Sequence, residues 1–238
     1  MKKSFFLYFA LFFCALFLTD CSNNDIENMK EQSLREENTI TDIDGNVYHT
    51  VLIGAQCWLK ENLKTTRYNT GESIPLITDR VEWVNADFGA MCYHSNDVAN
   101  VEKYGVLYNA YSVLTGILCP EGWHVPSSTE WDILTDYLGG TDIVGHPMRT
   151  DYDWYDNYNG KNESGFSVLP AGIRNSTLVM DDYYDIGKCT GFWSSTEEST
   201  EKYDYVRSRV FYYYDMFLRN YTDDHHHGHS VRCLKDEN

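Results

Sequence analysis

Apolar and polar positions divide the chain into three regimes. Phe5 to Leu18 is an unbroken apolar run behind Lys2 and Lys3. Ser22 to Thr39 is polar, acidic and free of aromatics, and from Ile40 onward short apolar or aromatic runs alternate with turn residues. The first run is shorter than the roughly 18 residues a membrane-crossing helix needs, and with its basic start it reads as an export signal. The second cannot bury enough apolar surface to offset chain entropy. The expected organisation is an export signal over residues 1–21, a flexible acidic tether over 22–40 and one folded domain over 41–238. A domain of that size buries roughly 70% of its unfolded surface.

Within the domain the periodicities point to strands, turns and one good helix. TDIDGNVYHTVLIG places Asp44, Gly45 and Asn46 between two β-prone runs, the residue types of a tight hairpin. QCWLKENL predicts a second strand leading to a turn at Asn69, Thr70 and Gly71. Ser127-Ser128-Thr129-Glu130 fits a capping box. Trp131, Leu134 and Leu138 then recur at helical spacing, and Gly139-Gly140 supplies the stop. GFSVLPAG, GFWSST, YVRSRVFYYYDMFLRNY and GHSVRCLK are short β-prone runs expected to form a twisted antiparallel sheet, with EESTEKYD a solvated loop. The expected class is α+β.

Charge and cysteine content narrow the function. The formal net charge is -17, and removing Met1 to Asp20 takes away two lysines and one aspartate to leave -18. Nucleic acid, which needs a basic face, is thereby excluded as a partner. Of seven cysteines, Cys14 lies in the signal and Cys21 ends it, leaving Cys57, Cys92, Cys119, Cys189 and Cys233. An odd number in an exported domain predicts up to two disulfides and one free thiol, and the absence of a CxxC pair argues against zinc.

Four stretches hold chemistry-bearing residues. In LCPEGWHVPSSTEW the prolines, serines and Glu130 begin a helix, and His124 has no neighbouring base or nucleophile, so scaffold is expected. Ser194 and Ser195 lack a GxSxG frame and are expected in a hydrogen-bonded turn. DDHHHGHS, if extended, would turn His225, His227 and His229 to one face and could chelate a transition metal beside Asp223; the alternative is a solvated histidine loop. TDYDWYDNYNG interleaves Asp151, Asp153, Asp156 and Asn157 with Tyr152, Trp154, Tyr155 and Tyr158. Rings that stack on a pyranose beside carboxylates and amides suit a sugar, and oxygen-rich acidic loops can hold calcium; the alternative is a loop packed on its own domain. Asp151, Asp153, Trp154, Tyr155, Asp156, Asn157 and Tyr158 are the candidate ligand-binding residues, and no catalytic set and no required cofactor is expected.

Two resemblances extend these readings. LTDC resembles the lipobox of bacterial lipoproteins, with Asp20 departing from the usual small residue in the manner of Bacteroidota lipoproteins, and implies lipidation of Cys21. The ordered set DIDGNVYHTVLIGAQCWLKENL, YGVLYNAYSVLTG, CPEGWHVPSSTEW, GFSVLPAGIR, GFWSSTEES and GHSVRCLKD resembles the Fibrobacter succinogenes major paralogous domain family over about residues 42–236. That resemblance implies a C-type lectin-like fold, shared with formylglycine-generating-enzyme domains, and a Cys119–Cys233 disulfide; it leaves Cys57, Cys92 and Cys189 unassigned. The expectation is a non-catalytic outer-membrane lipoprotein, exposed at the cell surface, that binds a polysaccharide, a glycoprotein or an envelope or host protein. The alternatives are an envelope enzyme related to formylglycine-generating oxidases, which a free low-pKa thiol would favour, and an assembly or adhesion module.

Overall fold

Asp42 builds the first turn. Its Oδ1 accepts the amides of Asp44 and Asn46, each at 2.9 Å, and its Oδ2 accepts the Tyr48 hydroxyl at 2.7 Å. The chain therefore reverses at Gly45, and strand β1 (Thr39–Thr41) pairs with β2 (Val47–Ile53) as the hairpin expected from the sequence. The computed structural model describes residues 39–200 and 204–237. The signal, the tether up to Asn38 and Cys21 lie outside them.

Among the described residues twelve strands follow the same logic of short runs. After β2 come β3 (Gln56–Leu59), β4 (Met91–Cys92), β5 (Leu107–Tyr108) and β6 (Trp123–His124). The second half adds β7 (Ile173–Arg174), β8 (Tyr183–Tyr184), β9 (Cys189–Ser199), β10 (Asp204–Tyr212), β11 (Leu218–Asp223) and β12 (Leu234–Lys235). They form a five-stranded sheet in the order β1-β2-β3-β12-β6, a three-stranded sheet β11-β10-β9, and two two-stranded sheets, β4-β5 and β7-β8. Every pairing between two of these strands is antiparallel, and with the short helices this makes an α+β fold.

The last strand joins the two ends of the domain. Leu234 of β12 pairs with Trp58 on one side and His124 on the other, and Cys233 beside it is disulfide-bonded to Cys119. The pairing implied by the family resemblance is thus present. The helix Ser128–Tyr137 starts as its sequence dictates. The Ser127 hydroxyl oxygen accepts the Glu130 amide, and Glu130 accepts the Ser127 amide in return. Trp131 is fully buried, with ring centroids 4.9 Å from Trp58 and 5.6 Å from Phe192. At the far end Gly139 has φ +103°, a left-handed value that stops the helix.

Four arginines are buried with these apolar clusters: Arg149, Arg174, Arg209 and Arg232. Arg232 shows how the interior tolerates them. It donates to Asn62 Oδ1 and to the carbonyls of Leu59, Phe166 and Ser167, so its fork is satisfied by neutral acceptors. Burial pushes its guanidinium down to about 9.

Three local expectations are corrected. GFSVLPAG forms no strand; the carbonyls of Phe166 and Ser167 are taken by Arg232, and Ser167 has φ +60°, which breaks extended geometry. Glu197 to Ser199 are not loop but the outer end of β9, paired with Asp204 to Val206; Glu197 and Ser199 are exposed, and Glu198 between them is ion-paired with Arg207. Ser194 lies inside β9 rather than in a turn, fully buried with its hydroxyl 3.1 Å from that of Ser128.

Candidate functional site

Two tyrosine pairs wall a pocket of about 240 Å³. Tyr183 and Tyr184 come from β8, which is held by pairing with β7; Tyr212 ends β10, and Tyr213 follows it. Cys189, the first residue of β9, also lines the pocket, as do Asp181, Asp185 and Lys188, the last two joined at 2.5 Å. The hydrogen bond and charge of Lys188 hold the Asp185 carboxyl below its usual range.

The acidic aromatic loop abuts this pocket. The Tyr155 amide donates to the Gly187 carbonyl at 2.8 Å, and the Tyr155 ring packs edge-on against Tyr213 at 5.1 Å. Tyr158 approaches the same ring at 6.0 Å, and Lys188 lies 5.3 Å from the centre of the Tyr155 ring. Tyr155 and Tyr158 stay 52% and 44% exposed, so they offer ring surface to a ligand. Asp156 and Asn157 take left-handed backbone angles, which short polar side chains tolerate, and so turn the loop back.

Trp154 is the correction within the predicted set. It is 3% exposed, its indole N–H donates to the Val168 carbonyl at 3.2 Å, and the Arg149 guanidinium stacks 4.1 Å from its ring centre. It belongs to the core because its large apolar surface gains more from that cluster than from water. Asp153 is ion-paired with Lys103 at 2.6 Å. Asp151, Tyr155, Asp156, Asn157 and Tyr158 remain exposed. Sequence reasoning missed Tyr183, Tyr184, Tyr212 and Tyr213; the available signal was the recurrence of tyrosine runs next to aspartate, in DDYYD and FYYYD.

Arg149 links the loop to the pocket. It donates to the carbonyls of Tyr158 at 3.3 Å, Asp215 at 2.6 Å and Tyr212, three separate segments of the site. Burial pushes it down to about 10. Asp215 in turn receives both terminal nitrogens of Arg219, whose guanidinium lies 5.5 Å from the rings of Tyr212 and Tyr214. The hydrogen bond from Arg219 lowers the Asp215 carboxyl.

The histidine stretch is not extended. His227 N–H donates to the Asp224 carbonyl, closing a turn where an extended run was needed. His225 stacks on Tyr111 at 5.0 Å, His226 pairs with Asp224 at 2.6 Å, and His229 is buried with Nε2 2.9 Å from Asp223. His227 lies parallel to His229 at 5.7 Å, and burial lowers its pKa. Burial alone would raise Asp223, but the hydrogen bond and charge of His229 outweigh it and bring the carboxyl down to about 2. A Cβ at Gly191 would fall 2.1 Å from His229 Nδ1, so only glycine lets β9 pass the ring. Among the described residues no three His, Cys, Asp or Glu side chains are grouped to hold a metal ion.

The remaining reactive types are enclosed or paired. Cys92 and Cys189 are buried, which pushes their thiols up to about 11 and about 12, and Cys57 is half-buried. His124 sits 2.6 Å from Asp236 and 3.0 Å from Glu130; desolvation would lower its pKa, but the two carboxylates raise it.

Comparison with known proteins gives one positive result. No curated protein and no solved structure matches the chain. The family model of the Fibrobacter succinogenes major domain matches residues 51–235, most of the chain and nearly all of the described fold, and this chain belongs to that family.

Proposed function

We propose that this protein is a lipid-anchored component of the cell envelope, tethered through Cys21 at the outer membrane and exposed at the surface. Its domain is a C-type lectin-like scaffold that binds glycan chains without catalysis. One observation carries the reading: exposed tyrosines 155 and 158 meet Tyr213 at the lip of a tyrosine-walled pocket flanked by carboxylates. Aromatic faces accept the apolar side of a pyranose, and the Asp185 carboxylate, held beside Lys188, accepts its hydroxyl protons. The burial and raised pKa of Cys92 and Cys189 support this reading over an oxidase-related enzyme, whose thiols need access and thiolate character.

The test is binding of the purified protein to a broad polysaccharide and glycan array, run with calcium and again with chelator. Binding that Tyr155→Ala together with Tyr213→Ala abolishes is the expected result, and chelator sensitivity would add a calcium role. A blank array at high protein concentration overturns the glycan reading. Lipidation is checked separately: Cys21→Ser is expected to move the protein from the detergent phase to the aqueous phase.

A further inference from the structure

The charges around the tyrosine pocket are lopsided. Lys188 is neutralised by Asp185, Arg219 by Asp215 and Lys103 by Asp153. Arg149 is buried and Arg80 reaches the neighbouring loop, and both donate to backbone carbonyls. Asp181, at the pocket itself, and Asp151 and Asp156, on the adjoining loop, are exposed, and among the described residues none of the three is ion-paired. The nearest exposed cation is therefore committed, while three carboxylates face solvent in a protein of net charge -17. A site of this kind raises the local concentration of cationic ligands, leaves that of neutral ones unchanged and lowers that of anions.

From this charge pattern, and resting on the glycan reading above, we infer that the pocket selects uncharged hexose chains and rejects polyuronates and other anionic glycans, with Asp151, Asp156 and Asp181 as the specificity-determining residues. Their role is exclusion: they repel a carboxylate-bearing sugar unit, while the tyrosine rings supply the attraction that any pyranose chain shares.

The experiment measures binding of the purified full-length protein to a panel of neutral hexose hexasaccharides and to galacturonate hexasaccharide. It is run at about 0.01 M and about 0.15 M salt, where screening lengths are about 30 Å and 8 Å. Wild type is expected to bind a neutral member with little salt dependence and to bind the galacturonate chain at least about tenfold more weakly at low salt, a gap that narrows as salt rises. The triple variant Asp151→Asn, Asp156→Asn, Asp181→Asn is expected to gain about tenfold toward the galacturonate chain and to keep its neutral affinity. Equal or tighter wild-type binding of the galacturonate chain overturns this inference and leaves the glycan reading standing. Loss of neutral affinity in the triple variant also overturns it, because the carboxylates would then be contacts rather than a barrier. If neither ligand binds, both readings fall.

Discussion

Two aromatic-rich stretches draw the eye in this sequence, residues 118–131 and residues 151–158, and the fold uses them in opposite ways. In the first, each conspicuous group finds a partner inside the domain. Cys119 is tied to Cys233, Ser127 and Glu130 cap each other, His124 lies between Asp236 and Glu130, and Trp131 is enclosed by other rings. In the second, Trp154 alone turns inward, and Tyr155 and Tyr158 stay half outside above a pocket. Dense chemistry in a sequence is therefore not a site. What separates the two is whether capping and helical period consume the polar groups, or left-handed loop residues leave rigid rings facing water.

The sharpest way to break the scaffold half is to open its cystine. The two cysteines are 114 residues apart, and the chain-entropy account of such a long loop gives about 5 kcal/mol of stability. Cys119→Ala with Cys233→Ala is expected to lose that amount in urea unfolding and to keep its glycan affinity while folded. A loss under about 1 kcal/mol would mean that the β12 pairing holds the two ends without help. Arg149 comes next, because it covers the inward Trp154 and holds the backbone carbonyl of the outward Tyr158. Replacing it by Met strands the carbonyls of Tyr158, Tyr212 and Asp215 and is expected to cost about 3 kcal/mol. Glycan binding should weaken as well, since those three segments carry the rings. Arg149→Lys should not rescue either property, because one ammonium lacks the planar fork that spans them.

How much of this was legible follows the same division. The Asp44-Gly45-Asn46 hairpin, the Ser127 cap, the glycine stop and the inward Trp131 all follow from local rules, and each is present. The Cys119–Cys233 link came from resemblance, since residue types alone leave the pairing open. The tyrosine pocket was hidden because its walls come from β8 and β10, about 30 residues apart, and strand patterning says nothing about which ends will meet. Trp154 was misplaced for a related reason. Its neighbours in sequence are polar, but the Arg149 guanidinium that covers it is fixed by carbonyls from 158, 212 and 215. The extended geometry that a chelating face of His225, His227 and His229 requires is not adopted, because the segment turns at Asp224.

A third prediction tests whether the histidine segment is scaffold. Asp223 is held at about 2 against an ordinary 3.8, so its contribution is fully present above about pH 4 and drains away as pH falls through about 2. The difference corresponds to roughly 2 kcal/mol. Asp223→Asn is expected to lose that amount at neutral pH and to flatten the acid limb of the stability curve. An acid limb identical to wild type would mean that the His229 pair contributes nothing net.

The smallest expected effect on stability is the one that matters most for the comparison. Tyr155 and Tyr158 each expose about half their surface; both rings pack on Tyr213, and Tyr155 also faces the Lys188 ammonium. Truncating either to Ala removes little buried area and should change unfolding free energy by no more than about 1 kcal/mol, within the usual range for surface substitutions. If the rings are contact surface, each truncation should nonetheless weaken glycan binding by about tenfold, and by more when combined with Tyr213→Ala, since aromatic anchors dominate such sites. Trp131→Ala is the matched control from the other stretch. It should lose about 3–5 kcal/mol, because a fully enclosed ring leaves a cavity, and should leave affinity unchanged in the folded fraction. Opposite responses to truncating one aromatic from each stretch would establish the division of labour, whereas a common response would place both stretches in the scaffold.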